Sequence, residues 1–234
     1  MAKLRQLKLR LHDMLMREDW ERELAAIEAM ADKDAVGPLL SFLMRGGALK
    51  WRAVTALGLV AARIADERME AGRVIMRQLM WYLNEESGTL GWGAPETMAE
   101  VMACHAGLAD EFHSILLSYI LDRDPGNFLD HAPLRRCAFW GVGRLAQARP
   151  RLAAKAAPEL LAGLADADIP CRGMAAWALG IMAPHLDAAS RAAARVALEP
   201  LLADPTEVDH FCDRRLLHPS VGDLAREALA RIAG

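Results

Sequence analysis

The residues best suited to binding chemistry lie close together in the stretch from Asn84 to Glu96. This stretch carries three carboxylates, Glu85, Glu86 and Glu96, and it places Trp92 between two glycines. A carboxylate pairs with a cation, and the face of an indole ring attracts a cation as well. We therefore predict that these carboxylates and Trp92 form a recognition site for a basic or cationic group. The alternative is that Trp92 is a structural plug.

A second group of chemically capable residues lies near the C-terminus, in the stretch 204–218. His210, Cys212 and His218 carry imidazole and thiol groups, which are ligand types suited to zinc or a similar ion. Their spacing, His-x-Cys-x5-His, matches no established metal motif. We therefore expect a polar surface loop, predict no metal and no cofactor, and keep these three residues as candidates.

The remaining signals exclude several classes of function. The chain contains no glycine-rich phosphate loop, nucleotide fingerprint or serine nucleophile motif. A net charge of −3 argues against a nucleic-acid binder, and the longest apolar run is too short to span a membrane. No signal peptide is recognisable, and the four cysteines form no Cys-x-x-Cys pair. We therefore predict reduced thiols and a cytoplasmic location.

Charge is distributed unevenly along the chain. Residues 84–131 hold nine acidic residues against the single basic Arg123, for a formal charge of −8. Residues 132–195 hold nine basic and four acidic residues, for a charge of +5. An asymmetry of this kind concerns partners rather than fold. We expect the partner to be another protein with a basic patch, while the oligomeric state stays open.

The elements that must position these residues follow from a repeated pattern. Six copies of small-x-x-small-apolar-small recur at spacings of 27 to 50 residues. The copies begin at Ala26, Ala53, Ala94, Ala138, Ala175 and Ala225. Helix hairpins repeating every ~40–47 residues build an α-solenoid, in which small residues let neighbouring helices approach closely. We predict an all-α, right-handed α-solenoid of five to six hairpins.

The pattern also predicts the organisation of the chain. We expect one domain over 1–234, with an amphipathic capping helix at 1–16 and a C-terminal capping helix at 219–233. Long turns at 84–93, 123–132 and 204–219 are expected on a common rim, because insertions in a solenoid map to one face.

One segment, Leu164–Gly180, carries a family resemblance. It contains Asp166 and, six residues later, Arg172, ahead of small residues. It resembles the HEAT-like repeat named after the phycobilisome lyases, in which an Asp ends a loop and an Arg opens the next helix. Lys50 and Arg135 fall at the same basic position in their own repeats. The resemblance covers most of 22–234 and implies a ladder of Asp–Arg pairs.

The third repeat departs from this pattern, since Gly91 stands at the basic position. Its sequence Gly-Trp-Gly-Ala-Pro-Glu over 91–96 is similar to that of uncharacterised bacterial HEAT-like proteins, and this likeness implies no activity. HEAT-like di-iron hydroxylases are disfavoured because the chain has no His-Glu dipeptide.

Taken together, these features favour a non-enzymatic scaffold that binds another protein through an acidic, loop-bearing rim or through the concave face. Two alternatives stay open. One is an enzyme or small-ligand or metal binder that uses the acidic rim, and the other is a lyase-like chaperone of a cofactor-bearing protein.

Overall fold

The computed structural model describes residues 2–84, 91–123 and 125–234 and is helical almost throughout this part of the chain. The α-helices, numbered in chain order, are α1 Ala2–Met16, α2 Leu24–Glu28, α3 Asp32–Phe42, α4 Gly47–Glu67, α5 Met69–Leu83, α6 Ala94–Cys104, α7 Ala106–Ser118, α8 Ala132–Ala148, α9 Pro150–Ala153, α10 Ala157–Gly163, α11 Ile169–Met182, α12 Ala188–Leu198 and α13 Val221–Ala233. Short 3-10 turns lie at Trp20–Glu23, Leu43–Arg45, Ala154–Ala156, Ala183–His185 and Glu199–Leu201. Two short antiparallel strands, β1 His210–Cys212 and β2 Arg215–Leu217, form a hairpin.

The prediction of an all-α solenoid is confirmed. The repeated pattern predicts helices at about 48–65, 133–148, 169–184 and 219–233, and α4, α8, α11 and α13 begin and end within a few residues of these bounds. Successive long helices pack on each other, α4 on α6, α8 on α11 and α11 on α13. None of the helices in the described part of the chain is long and apolar enough to cross a membrane.

The chain divides into two compact units, a first unit of Met1–Leu108 and a second unit of Ala109–Gly234. The boundary falls inside α7. A single repeat domain over 1–234 and a rim shared by the three long turns therefore remain predictions.

Close helix packing depends on the last small residue of the repeated pattern. A Cβ added at Gly58 of α4 would lie 2.5 Å from Cγ of Glu100 on α6. At Gly180 of α11 it would lie 2.9 Å from the Cα of Ala228 on α13. Both distances are shorter than ordinary van der Waals contact, so the small residues bring each helix against the next, as their spacing predicts.

Helix α1 packs on α3 and α4. Leu11, Met14 and Leu15 are buried, whereas Leu4, seven residues before Leu11, is 50% exposed. The second half of α1 therefore packs on the fold, and the first half keeps apolar surface in contact with solvent. A capping role for residues 1–16 remains a prediction.

Candidate binding site

The segment Gly91–Glu96 forms the start of α6. Gly93 is the N-cap and has a left-handed backbone with φ of 76°. A Cβ at Gly93 would lie 2.9 Å from the Cβ of Leu43, so both the backbone and the packing call for glycine. Pro95 lies in the first turn, where its missing N–H costs nothing.

Glu96 is turned into the interior of the first unit. Its side chain is fully buried, and its Oε1 atom accepts a hydrogen bond of 2.8 Å from Nζ of Lys50. That Nζ atom also lies 4.0 Å from the ring centroid of Trp51. The other carboxylate oxygen, Oε2, is buried and makes no hydrogen bond within the described residues. Glu96 thus serves as the internal partner of Lys50, the basic residue in the first turn of α4.

The other members of the site predicted from the sequence are less fully placed. Trp92 is half-buried between Gly91 and Gly93, which are both buried. Glu85 and Glu86 lie outside the described residues. A recognition site made of these four residues therefore remains a prediction. In the structure, the carboxylate of Glu96 is buried and pairs with Lys50.

The second unit contains two neighbouring ion pairs, Arg135–Asp166 and Arg136–Asp168, which we call the Asp–Arg ladder. Arg172 donates instead to the backbone carbonyl oxygen of Asp166. Arg135 binds the carboxylate of Asp166 through two hydrogen bonds, 2.7 Å from Nε and 2.8 Å from Nη2. Its remaining Nη1 donates to the carbonyl oxygens of Leu129 and Asp130, at 2.7 and 2.9 Å. Each side chain of the ion pair is 8% exposed. The guanidinium of Arg135 is therefore fully engaged by the protein itself.

The pKa values agree with a tightly held pair. Burial by itself raises the pKa of Asp166, but hydrogen bonds from Arg135 and from the backbone N–H of Asp168 outweigh it, and the pKa lies below its usual value. The hydrogen bond to Asp166 raises the pKa of Arg135. Arg136 makes a similar bidentate pair with Asp168, whose Oδ1 also caps α11 through the N–H of Cys171.

A cavity of about 550 Å³ lies beside this ladder. Its lining includes the aromatic rings of Phe128 and Phe139, the apolar side chain of Ile120, and the carboxylates of Asp122 and Glu159. We call it the acidic cavity, because neither of these two carboxylates pairs with a cation in the described part of the chain. Oε2 of Glu159 is buried and lacks a hydrogen-bond partner there.

The arrangement of the acidic cavity determines what it can hold. Arg135 also lines it, with its guanidinium carbon 5.1 Å from the ring centroid of Phe128, but its charge is balanced by Asp166. The charge that is not balanced within the cavity is consequently negative, and it lies beside apolar and aromatic side chains. A lysine or arginine side chain matches both features, because it places a cation at the end of an apolar stem.

Sequence reasoning did not single out the acidic cavity. Phe128 carried the only local signal, as a large aromatic residue in the polar turn 123–132. Glu159 lies on α10 and Asp122 follows α7, so no spacing along the chain links them.

The stretch 204–218 differs from the expected polar loop, because it contains the β1–β2 hairpin. His210 is 4% exposed, and its ring centroid lies 4.7 Å from that of Trp177. Burial lowers the pKa of His210 to about 4, against a smaller opposing effect of the Glu227 and Asp213 charges. Burial raises the pKa of the Cys212 thiol, because it disfavours the charged thiolate.

The three metal candidates are not brought together as a ligand set. His218 pairs with Asp209, at 3.1 Å between Nδ1 and Oδ1. Within the described ranges, no group of three or more His, Cys, Asp or Glu side chains is placed to hold a metal ion. The arrangement of His210 is instead that of a packed aromatic residue.

Comparisons with known proteins define the class of fold. No protein-family model matches the chain, and no curated protein is similar to it. Among solved structures, the chain is similar to an engineered protein from a structural genomics consortium, with 17% identity and a TM-score of 0.51 over 97% of this chain and 96% of the other. It is also similar to computationally designed armadillo repeat proteins for modular peptide recognition, with 18% identity and a TM-score of 0.51 over 97% and 99% of the two chains. At such identities the likeness shows the fold alone, which is an armadillo-like helical repeat.

Proposed function

We propose that this protein is a non-enzymatic scaffold that binds another protein by holding a basic side chain of its partner in the acidic cavity. The observation that carries the proposal is that the acidic cavity holds two carboxylates, exposed Asp122 and half-buried Glu159, that pair with no cation in the described part of the chain. Of their oxygen atoms, Oε2 of Glu159 is buried without a hydrogen bond there, beside Phe128 and Phe139. A buried carboxylate oxygen without a hydrogen bond is costly, and a bound cation would remove that cost.

The proposal agrees with the fold and with the charge distribution. Helical repeats present extended surfaces that suit binding of other chains, and one of the similar structures is a design for peptide recognition. The stretch 84–131 contributes Asp122 and carries a formal charge of −8. We expect binding to weaken as salt rises, because exposed charges are screened over about 10 Å at 0.1 M ionic strength.

Three finer proposals accompany this one. The Asp–Arg ladder supports membership of the HEAT-like repeats of the phycobilisome-lyase type, since Arg135 and Asp166 occupy the positions expected for it. Trp92, with Glu85 and Glu86, would supply a further contact to a basic partner. A cytoplasmic location would fit four cysteines that form no disulfide bond.

The test uses a short labelled peptide in which Lys alternates with Leu, and a control peptide in which Gln replaces each Lys. We expect the purified protein to bind the Lys peptide more tightly than the Gln control peptide. The double variant Asp122→Asn/Glu159→Gln should lose at least about tenfold in affinity, which corresponds to about 1.4 kcal/mol. The matched control Glu199→Gln/Glu207→Gln removes the same charge from exposed carboxylates outside the acidic cavity and should bind as the unmodified protein does.

Two results would overturn the proposal. The first is equal affinity for the Lys and Gln peptides. The second is unchanged binding of the Lys peptide by the double variant while its melting temperature also stays unchanged.

A further inference from the structure

A second cavity, of about 640 Å³, lies in the first unit. It is lined by residues of α1, of the end of α3 with the 3-10 turn that follows, and of the start of α4. Its charged lining residues are Arg5, Lys8 and Arg45. We call it the basic cavity.

The three cations of the basic cavity have no carboxylate partner within the described residues. Elsewhere in the first unit, arginines are paired, as Arg63 is with Asp32 and Glu67 at 2.7 Å. His12 also lines the cavity, and its own neighbour Asp13 is 79% exposed on its side chain. The local charge is thus positive and is not used to hold the fold together.

The basic cavity also contains apolar surface that the fold leaves uncovered. Leu9 is 55% exposed and Met44 is 48% exposed, and both belong to its lining. Phe42 closes the floor, with its ring centroid 6.3 Å from that of His12 in an edge-to-face contact. Leu9 lies off the apolar stripe that packs α1 on α3, so burial within the fold does not account for it.

We propose that the basic cavity binds an acidic segment of a partner protein, with a large apolar side chain of that segment seated on Leu9, Met44 and Phe42. Carboxylates that flank this side chain pair with Arg5, Lys8 and Arg45. The concave shape favours a protruding side chain over a flat lipid surface, and the apolar lining distinguishes a peptide from a small free anion. This site is opposite in charge to the acidic cavity and does not depend on the proposed function.

The test uses a labelled peptide in which Glu alternates with Leu. Two control peptides replace Glu by Gln or Leu by Ser, and they require no protein variant. We expect the Glu-Leu peptide to bind at least about tenfold more tightly than either control. Inorganic phosphate and vesicles that contain anionic lipid serve as competitors, and neither should displace the peptide at physiological salt.

Variants then locate the site. Arg5→Gln/Arg45→Gln should weaken binding of the Glu-Leu peptide at least about tenfold with an unchanged melting temperature. The matched control Arg10→Gln/Lys33→Gln removes the same charge from exposed cations outside the basic cavity and should leave binding unchanged. Leu9→Ser should weaken binding as well.

Four outcomes would overturn the proposal. They are equal binding of the Glu-Leu and Glu-Ser peptides, displacement by phosphate, preferential binding to the vesicles, and an equal loss in the two double variants. This test does not use the peptide in which Lys alternates with Leu (the Lys-Leu peptide). A failure here therefore does not bear on the proposal for the acidic cavity.

Discussion

The two units each contain a cavity of similar volume, about 640 Å³ in the first and about 550 Å³ in the second, but the free charges around them are opposite. The basic cavity has three cations that no described carboxylate balances. The acidic cavity includes Arg135, yet Asp166 already binds that guanidinium. Residues 132–195 carry a formal charge of +5 and still contribute to an acidic site. The charge that a partner meets is therefore what remains after internal ion pairs are formed.

The largest effect should follow from breaking the ion pair that balances the acidic cavity. Asp166→Asn leaves the buried Arg135 without its carboxylate, and loss of one partner of a buried ion pair costs about 3–5 kcal/mol. It should also weaken binding of the Lys-Leu peptide, because the guanidinium charge is then free beside it. Urea unfolding and peptide titration measure the two effects.

Glu207→Gln removes an exposed carboxylate of the same unit and serves as the control. It should change the free energy of unfolding by less than about 0.5 kcal/mol. Unchanged affinity of Asp166→Asn for the Lys-Leu peptide would show that the ion pair does not set the charge of the cavity.

A pH-dependent loss of stability should originate in the second unit. The pKa of His210 is about 4 in the fold, against 6.5 for a free imidazole, so protonation favours the unfolded chain. The contribution of neutral His210 to the free energy of unfolding is fully present above pH 6.5, and roughly 3 kcal/mol is lost as the pH drops toward 4. The lowered pKa values of Asp166 and Asp168 place their contribution at still lower pH.

His210→Phe keeps an aromatic ring against Trp177 and removes the titrating group. Its free energy of unfolding should be nearly constant between pH 6.5 and 4.5 in urea unfolding. If this variant loses stability as steeply as the unmodified protein, another group is responsible.

A smaller difference is expected between equivalent glycines of the two units. A Cβ at Gly143 would lie within 3 Å of three ring carbons of Trp177, whereas at Gly58 it would lie within 3 Å of one atom, Cγ of Glu100. Overpacking costs about 1–3 kcal/mol, so we expect Gly143→Ala near the top of this range and Gly58→Ala near the bottom.

Gly37 of α3 provides the control, since a Cβ there would meet nothing within 4 Å apart from neighbours along the chain. The gain in helix propensity is opposed by contact of the new Cβ with the ring of Pro38, so Gly37→Ala should change the free energy of unfolding by less than about 1 kcal/mol in urea unfolding. Equal costs at Gly58 and Gly143 would contradict the stated role of their neighbours.

The last stability effect concerns Trp92. Truncating a fully buried tryptophan costs about 3–5 kcal/mol, but Trp92 is only half-buried, so Trp92→Ala should cost about 2 kcal/mol. A loss of the full amount in urea unfolding would identify Trp92 as the structural plug rather than a recognition residue.

The sequence predicts the fold well because packing residues carry it. The small residues that end the repeated pattern, such as Gly58 and Gly180, lie at helix contacts, and α4 at Gly47–Glu67 matches the expected helix at 48–65. The β1–β2 hairpin was missed because its turn residues, Asp213 and Arg214, adopt positive φ without the glycine that usually marks such a turn.

The sites were harder to predict than the fold. Pro95 and Glu96 make a good helix start whether or not the carboxylate is exposed, so sequence alone does not reveal that Glu96 is buried against Lys50. The acidic cavity brings together Asp122, Phe128 and Glu159 through tertiary packing. Its sign depends on the Arg135–Asp166 pair, which a count of charges does not show.

The central claim is that local unpaired charge, not net charge, selects the partner at each cavity. Its most direct test measures the affinities of the Lys-Leu and Glu-Leu peptides for the two double variants, Asp122→Asn/Glu159→Gln and Arg5→Gln/Arg45→Gln. The account predicts that the first variant loses only the Lys-Leu peptide and the second only the Glu-Leu peptide, each by at least about tenfold. If each variant instead shifts both affinities by similar factors in opposite directions, the net charge of the chain decides binding and the claim is wrong.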